Sequence, residues 1–309
     1  MTAPTVLYVG GFGRSGSTLV ERVVEAAPQA VSLGEVVHLW RRGVVENELC
    51  GCGEPFDRCP FWTAVGERAF GGWSMLDVDR VLALQREVDR QRHVPRTLRP
   101  FSRRTRAAMR QYTGYYRAVY EAAASVSGAE IVVDSSKHAS TAAVLANDTG
   151  IDLRVLHLIR DSVAVAYSWS KEVSRPETAE RGEGMTRYSS SRASLLWSSN
   201  NLLVALVRLA RRPVRRLRYE DFVRNPSEAL RQVWRGLALP GDFTPRIEQG
   251  VGVELERGHS IGGNPMRFRE GPVVIREDNA WRTSMPRRRR YLVALLTAPL
   301  RLWMGYPRR

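Results

Sequence analysis

The sequence predicts an α/β fold of three layers, with a central, mostly parallel sheet flanked by helices. Three observations predict it. Strand-like runs recur at Thr5–Val9, Ile131–Val133, Leu153–Ile159 and Val214–Leu217, the first two apolar and rich in β-branched residues. Segments with helical apolar spacing follow each run, which is the pattern of βαβ units. Each run also ends in glycine, hydroxyl or charged residues, at the strand end where open α/β sheets hold their ligands.

The first element is Thr5-Val-Leu-Tyr-Val-Gly-Gly-Phe-Gly-Arg-Ser-Gly-Ser-Thr-Leu-Val20. A buried strand breaks into a glycine-rich turn, and a helix begins near Ser17. Free N–H groups and the helix dipole then converge on one spot, which makes an anion site. The spacing is P-loop-like: Gly11, Gly16 and Thr18 match G-x-x-x-x-G-K-[ST], but Ser17 stands at the lysine position and the cation lies inside the loop, at Arg14. Such a loop can hold a phosphate-like group, yet it lacks the lysine that an NTPase places on its β/γ-phosphates.

The second strand and the helix after it fall within Gln29–Trp40, with Gly34-Glu35 at the strand's C-terminal end. Glu35 is therefore either an acid/base or a first-turn glutamate serving the helix dipole. Cys50, Cys52 and Cys59 follow in a compact loop. They can ligate zinc with His38 or Asp57, or pair as a disulfide. Because C-x-x-C pairs are absent, the default reading is a reduced, buried turn, and no metal is assigned.

Helices are expected from Val78 to about Gln91, capped by Asp77, and from about Arg103 to Ser125, with Pro95 and Pro100 breaking the pattern between them. The stripe Tyr112, Tyr115, Tyr116, Val119 and Tyr120 on the second reads as core. The strand Ile131–Val133 ends in Asp134, Ser135, Lys137 and His138, and the strand Leu153–Ile159 ends in Arg160. Asp161 or Ser162 caps a helix reaching about Lys171, on which Ser168 can turn toward the same anion as Arg160.

A polar stretch from Arg175 to Arg192 reads as a mobile loop, followed by a helix from Ala193 to about Arg211. The strand from Val214 leads into Tyr219-Glu-Asp, and Asn225-Pro caps the next helix. The tail holds a glycine-rich basic loop, Gly258–Arg269, and an arginine run, Arg287–Arg290, before an apolar segment to Trp303. That segment reads as a helix packed on the domain, or else as one resting on an anionic membrane surface.

Composition narrows the function classes. Forty-seven basic against thirty-two acidic residues give a net charge of +15, nearly all of it arginine, since Lys137 and Lys171 are the only lysines. The arginine bias fits a GC-rich, bacterial coding sequence. A basic balance favours anionic partners, but no zinc finger, helix-turn-helix or aromatic RNP pattern is present, so nucleic acid is not the expected one. The N-terminus lacks the order of a signal peptide, and no uncharged apolar stretch reaches about 18 residues. Three cysteines point to a reducing compartment, so a cytoplasmic protein, at most peripheral to the membrane, is expected.

Together these motifs resemble the sulfotransferases that use 3′-phosphoadenosine 5′-phosphosulfate. Gly13-Arg14-Ser15-Gly16-Ser17-Thr18 resembles the family's 5′-phosphosulfate loop, and Arg160 with Ser168 resembles its 3′-phosphate clamp. Arg218-Tyr219-Glu220-Asp221 is similar to the Y-E-D segment whose tyrosine lies near the adenine. Gly258–Phe268 stands where a basic loop closes over the donor; Arg267, Arg269 and Arg282 are alternatives for completing the 3′-phosphate site. The resemblance implies transfer of a sulfuryl group to an acceptor hydroxyl of a glycan, lipid or small natural product, without a required metal. Glu35 resembles the G-E base of tyrosylprotein and carbohydrate members, with His138 or His38 as alternative bases, and Lys137 resembles the lysine that approaches the sulfuryl group. A single domain over residues 1–309 is expected, with the cysteine loop and helical insertion at about 41–127 on the acceptor side. A P-loop kinase or NTPase, and a basic membrane-surface binding protein, are the competing classes.

Overall fold

A computed structural model describes residues 3–99, 102–171, 186–243, 247–248 and 252–307. The expected mobile loop lies outside the described residues as far as residue 185. The central sheet comprises β1 (Thr5–Gly11), β2 (Ala30–Gly34), β3 (Ile131–Lys137), β4 (Asp152–Ile159) and β5 (Val214–Arg218), in the order β2-β3-β1-β4-β5. Every pairing in it is parallel, as the alternation of strands and helices requires.

Alternation along β1 splits the core into two layers. Val6 and Tyr8 face α5 (Arg103–Ser127) and α6 (Ala139–Leu145), while Leu7 and Val9 face α1 (Ser17–Glu25) and α10 (Pro226–Leu237). Each such fully buried Leu or Val contributes about 1.5–3 kcal/mol. The tyrosine stripe is core: Tyr112, Tyr116 and Tyr120 are buried, their rings stepping edge to face along α5.

Between β2 and α5 the chain forms a turn at Val36–His38, a wide helical turn at Leu39–Val45, α2 (Pro60–Phe70), α3 (Val78–Val88) and α4 (Val94–Leu98). Asp77 caps α3 as expected, by accepting from the Arg80 N–H at 2.9 Å. Pro95 does not interrupt a helix but sits in the first turn of α4, where its missing N–H costs nothing. α3 ends at Asp89, whose carboxylate accepts from Tyr112 and Thr141 in the interior.

α7 (Ser162–Ser170) is capped by Asp161, and α9 (Tyr219–Arg224) leads into α10, capped by Asn225. α8 (Ser190–Leu206) continues as a tight turn to Ala210 and begins three residues earlier than expected. By length and composition alone, Ser190–Ala210 is long and apolar enough to cross a membrane, although it carries Arg192 and Arg208. Its Trp197, Asn201 and Val204 are nonetheless buried on the domain, with Asn201 bonded to His157 at 3.0 Å.

A small antiparallel sheet of β6 (Ile247–Glu248), β7 (Gly252–Leu255) and β8 (Gly271–Val273) flanks α1. The tail folds as α11 (Ala280–Ser284), α12 (Arg287–Leu296) and α13 (Ala298–Trp303). Arg301 and Tyr306 anchor it: they bond Asp161 at 2.9 Å and Glu220 at 2.7 Å. The C-terminal segment thus packs on the domain.

Candidate active site

The strands share one direction, so all their C-terminal ends meet at one edge. A cleft of about 860 Å³ opens there. A hollow of equal volume lies at the opposite edge, around Thr5 and Glu130, where strands begin and no parallel strand delivers its C-terminal loop.

The turn after β1 forms the floor. Gly16 has φ +89°, and a Cβ there would lie 2.3 Å from the Tyr219 ring, so the close approach of the turn to that ring requires glycine. No side chain caps α1 at Gly16, and Ser15, Ser17 and Thr18 are nearly buried. The first N–H groups of α1 thus face an anion site. Arg14 also adopts a left-handed conformation, φ +69°, which turns its guanidinium over Trp169 at 5.3 Å. Partial burial lowers the pKa of Arg14 from its ordinary value. Trp169 in turn donates to the Gly13 carbonyl at 3.0 Å.

β4 and α7 supply the next wall. Arg160 and Ser168 both line the cleft, as the spacing predicts. Arg160 donates to the Arg14 carbonyl at 3.3 Å, lies over the Tyr219 ring at 4.7 Å and pairs with Asp278 at 3.3 Å. Tyr219 itself is not among the lining residues. Its ring is packed beneath Gly16 and Arg160, so its position is that of a support for both.

Opposite stand Glu35 and Lys137, at the ends of neighbouring strands. Lys137 Nζ touches Glu35 Oε1, and His38 Nε2 lies 3.2 Å from Oε2. Burial pushes the Glu35 carboxyl up, but Lys137 and His38 outweigh it and hold the group well below the usual carboxylate range. Lys137 reaches this place through a strained backbone, φ +68°. Behind it, Asp134 accepts from Tyr120 at 2.6 Å and from the Ser136 N–H at 2.8 Å, while Ser136 Oγ accepts from the Val37 N–H at 2.9 Å. Those bonds tie β3 to the turn carrying Glu35. His138 also lines the cleft, and burial lowers its pKa.

The late loop is zipped onto β2. Ile261 donates to the Leu33 carbonyl at 2.9 Å, and the Glu35 N–H donates to the Ile261 carbonyl at 2.7 Å. Gly263 then passes beside Glu35, and Gly263, Asn264 and Met266 line the cleft. The expectation that Arg267 binds the donor is corrected by its position. Only 1 % exposed, it points inward, donates to the Ser260 carbonyl at 3.2 Å and braces the loop over Phe268. Neither Arg269 nor Arg282 lines the cleft either; Arg282 pairs with Glu277.

Sequence reading missed Arg42, Trp169 and Asp278, all of which line the cleft. Trp169 carried a signal, because it directly follows Ser168 on the same helix. Asp278 carried none, being far along the chain from Arg160.

No family model matches the chain, and no protein of curated function matches it. Among solved structures, it is similar to the sulfotransferase domain from the Synechococcus PCC 7002 olefin synthase, at 20% identity covering 96% of this chain and 95% of that one, with a TM-score of 0.47. It is also similar to the sulfotransferase domain from the curacin biosynthetic pathway, at 15% identity covering 99% and 100%, with a TM-score of 0.48. Sulfotransferase STF9 from Mycobacterium avium is 13% identical over 78% of this chain and 65% of that one, with a TM-score of 0.41.

Proposed function

We propose that this protein is a sulfotransferase, moving a sulfuryl group from 3′-phosphoadenosine 5′-phosphosulfate to an acceptor hydroxyl. One observation carries the reading. The anion-binding turn without a P-loop lysine, the cations Arg14, Lys137 and Arg160, and the carboxylate Glu35 all line a single cleft. That set suits sulfuryl transfer, because its loose, in-line transition state spreads charge over equatorial oxygens and its leaving group is a nucleotide phosphate.

The α1 N-terminus with Ser17 and Thr18 holds the 5′-phosphate, while Arg160 and Ser168 hold the 3′-phosphate. Arg14 neutralises charge on the bridging oxygen as the S–O bond to phosphate breaks. Lys137 meets the sulfuryl oxygens. The acceptor oxygen forms the new S–O bond, and its proton passes to Glu35. A carboxylate held so low is a weak base at rest, so proton transfer follows bond formation, when the attacking hydroxyl has become far more acidic. The acceptor enters between the helical segment and α8, past Arg42, Gln91, Tyr188 and Asn200. Calorimetric titration with 3′,5′-adenosine bisphosphate tests the reading: saturable binding that weakens in Arg160→Ala supports it, and no saturable binding overturns it.

A peripheral contact with anionic membrane is a second reading, on a separate observation. Tyr291, Leu295, Leu296 and Trp303 on α12 and α13 are exposed beside the run Arg287–Arg290. Co-sedimentation with phosphatidylglycerol vesicles, lost in Leu295→Glu/Trp303→Glu, is the expected result; equal sedimentation of that variant would remove the reading.

A further inference from the structure

Outside the cleft, four groups suited to a soft metal meet at one point. Cys50, Cys52 and Cys59 come from the compact loop before α2, and His259 comes from the loop after β7, 200 positions beyond Cys59. Their ligand atoms all lie within 4.8 Å of one another. Cys52 Sγ is 3.7 Å from Cys59 Sγ, and His259 Nδ1 is 3.3 Å from Cys59 Sγ and 3.8 Å from Cys50 Sγ. A tetrahedron with Zn–S of about 2.3 Å and Zn–N of about 2.0–2.1 Å has ligand edges of about 3.5–3.8 Å. The three spacings above, 3.3–3.8 Å, lie close to those edges. A disulfide would join two sulfurs at about 2.05 Å and leave the third thiol and the imidazole converging on nothing.

We propose that Cys50, Cys52, Cys59 and His259 bind one Zn²⁺ ion in a closed, structural site. Three thiolates and an imidazole are a zinc ligand set, and oxygen donors of the kind magnesium or calcium require take no part. The fourth ligand is neither His38 nor Asp57: His38 faces Glu35 instead. With four protein ligands the ion keeps no open position, so its role is to join segments rather than to activate water.

The segments it joins matter to the cleft. The loops are already in register: the Gly51 N–H donates to the Ser260 carbonyl at 3.0 Å, and Trp62 Nε1 donates to the His259 carbonyl at 2.8 Å. Phe61 stacks on the imidazole with ring centroids 4.8 Å apart and fixes its plane. A Cβ at Gly51 would stand 3.0 Å from both the Gly258 carbonyl oxygen and the Ser260 nitrogen, so glycine lets the two loops approach without crowding. Two residues after His259, Ile261 pairs with β2 next to Glu35. The ion therefore clasps the late loop at the root of the segment that passes Glu35.

The test is made on untagged full-length protein from zinc-replete culture, by elemental analysis and hydrogen exchange. The expected content is about one zinc per chain, falling below about a tenth in Cys59→Ser and His259→Ala and restored in His259→Cys. Cobalt reconstitution of the wild type gives the spectrum of a tetrahedral thiolate complex, which requires no variant to fold. Chelation accelerates exchange across residues 258–264, with no need for an activity assay. Wild-type protein without stoichiometric zinc, or with a Cys52–Cys59 disulfide by mass spectrometry, overturns the site. Unchanged exchange after complete zinc removal overturns the clasp.

Discussion

Lys137 Nζ is in direct contact with Glu35 Oε1, across the ends of two adjacent parallel strands. Among the described residues, the contact places the one lysine lining the cleft against its most depressed carboxylate, so the Lys137 charge helps to keep Glu35 ionised.

Glu35→Gln removes the proposed proton acceptor and keeps the shape. Turnover is expected to fall by about 100-fold or more, while the affinity for 3′,5′-adenosine bisphosphate stays within about twofold, since no nucleotide phosphate is assigned to Glu35. Parallel kinetics and calorimetry check this. A proportional loss of affinity would make Glu35 a structural residue.

The pH profile follows from the direction of the Glu35 shift. A carboxyl depressed below its ordinary value stays ionised until the pH falls through its folded pKa, so kcat/KM in the wild type shows no acid limb in the ordinary glutamate range, at about pH 4–5. In Lys137→Met the main opposing charge is gone and burial raises the group. The residual activity then loses its acid side at higher pH than the wild type. An unmoved limb would show that another group, His38 or His138, is the base.

Arg160→Ala is expected to weaken binding of 3′,5′-adenosine bisphosphate by about 1.5–3 kcal/mol, the loss of a hydrogen bond to a charged group. Adenosine 5′-monophosphate, which lacks the 3′-phosphate, should lose much less. Equal losses for the two ligands would remove the 3′-phosphate from Arg160. Asp278→Asn frees Arg160 from a competing carboxylate and should tighten the bisphosphate.

Gly16→Ala puts a methyl group against the Tyr219 ring at a φ of +89°. Strain at such a backbone position costs about 1–3 kcal/mol, so thermal unfolding should move down and donor affinity should fall with it. Normal stability and affinity would mean that the turn is not held by that contact.

Asp134 sets a stability term with the opposite pH sense to Glu35. Burial raises its pKa from 3.8 to about 6. Between those values the folded chain holds a proton that the unfolded chain has lost, so stability declines as pH rises through that window and levels off above it. The term is at most about 3 kcal/mol. In Asp134→Asn it should vanish, and chemical denaturation at about pH 4 and about pH 7 measures the difference.

Much of the cleft lining could be read from the chain. Gly11–Thr18, Lys137 and Arg160 start at or directly after strand ends, which parallel strands carry to one edge, and Ser168 lies on the helix that follows β4. Asp77 and Asn225 cap their helices because a cap is a contact over three residues. Local patterns of this kind are written in local sequence.

The sequence by itself determined the α/β class, the anion-binding turn and the residues at its edge, since period, glycine placement and capping act over a few residues. Tertiary structure alone decided who meets whom. It brought His259 to three cysteines some 200 positions away, turned Arg267 inward onto Ser260, slid Tyr219 beneath Gly16, and set Asp278 on Arg160. Those pairings depend on strand order and on how loops pack across the sheet edge, which no spacing along the chain encodes.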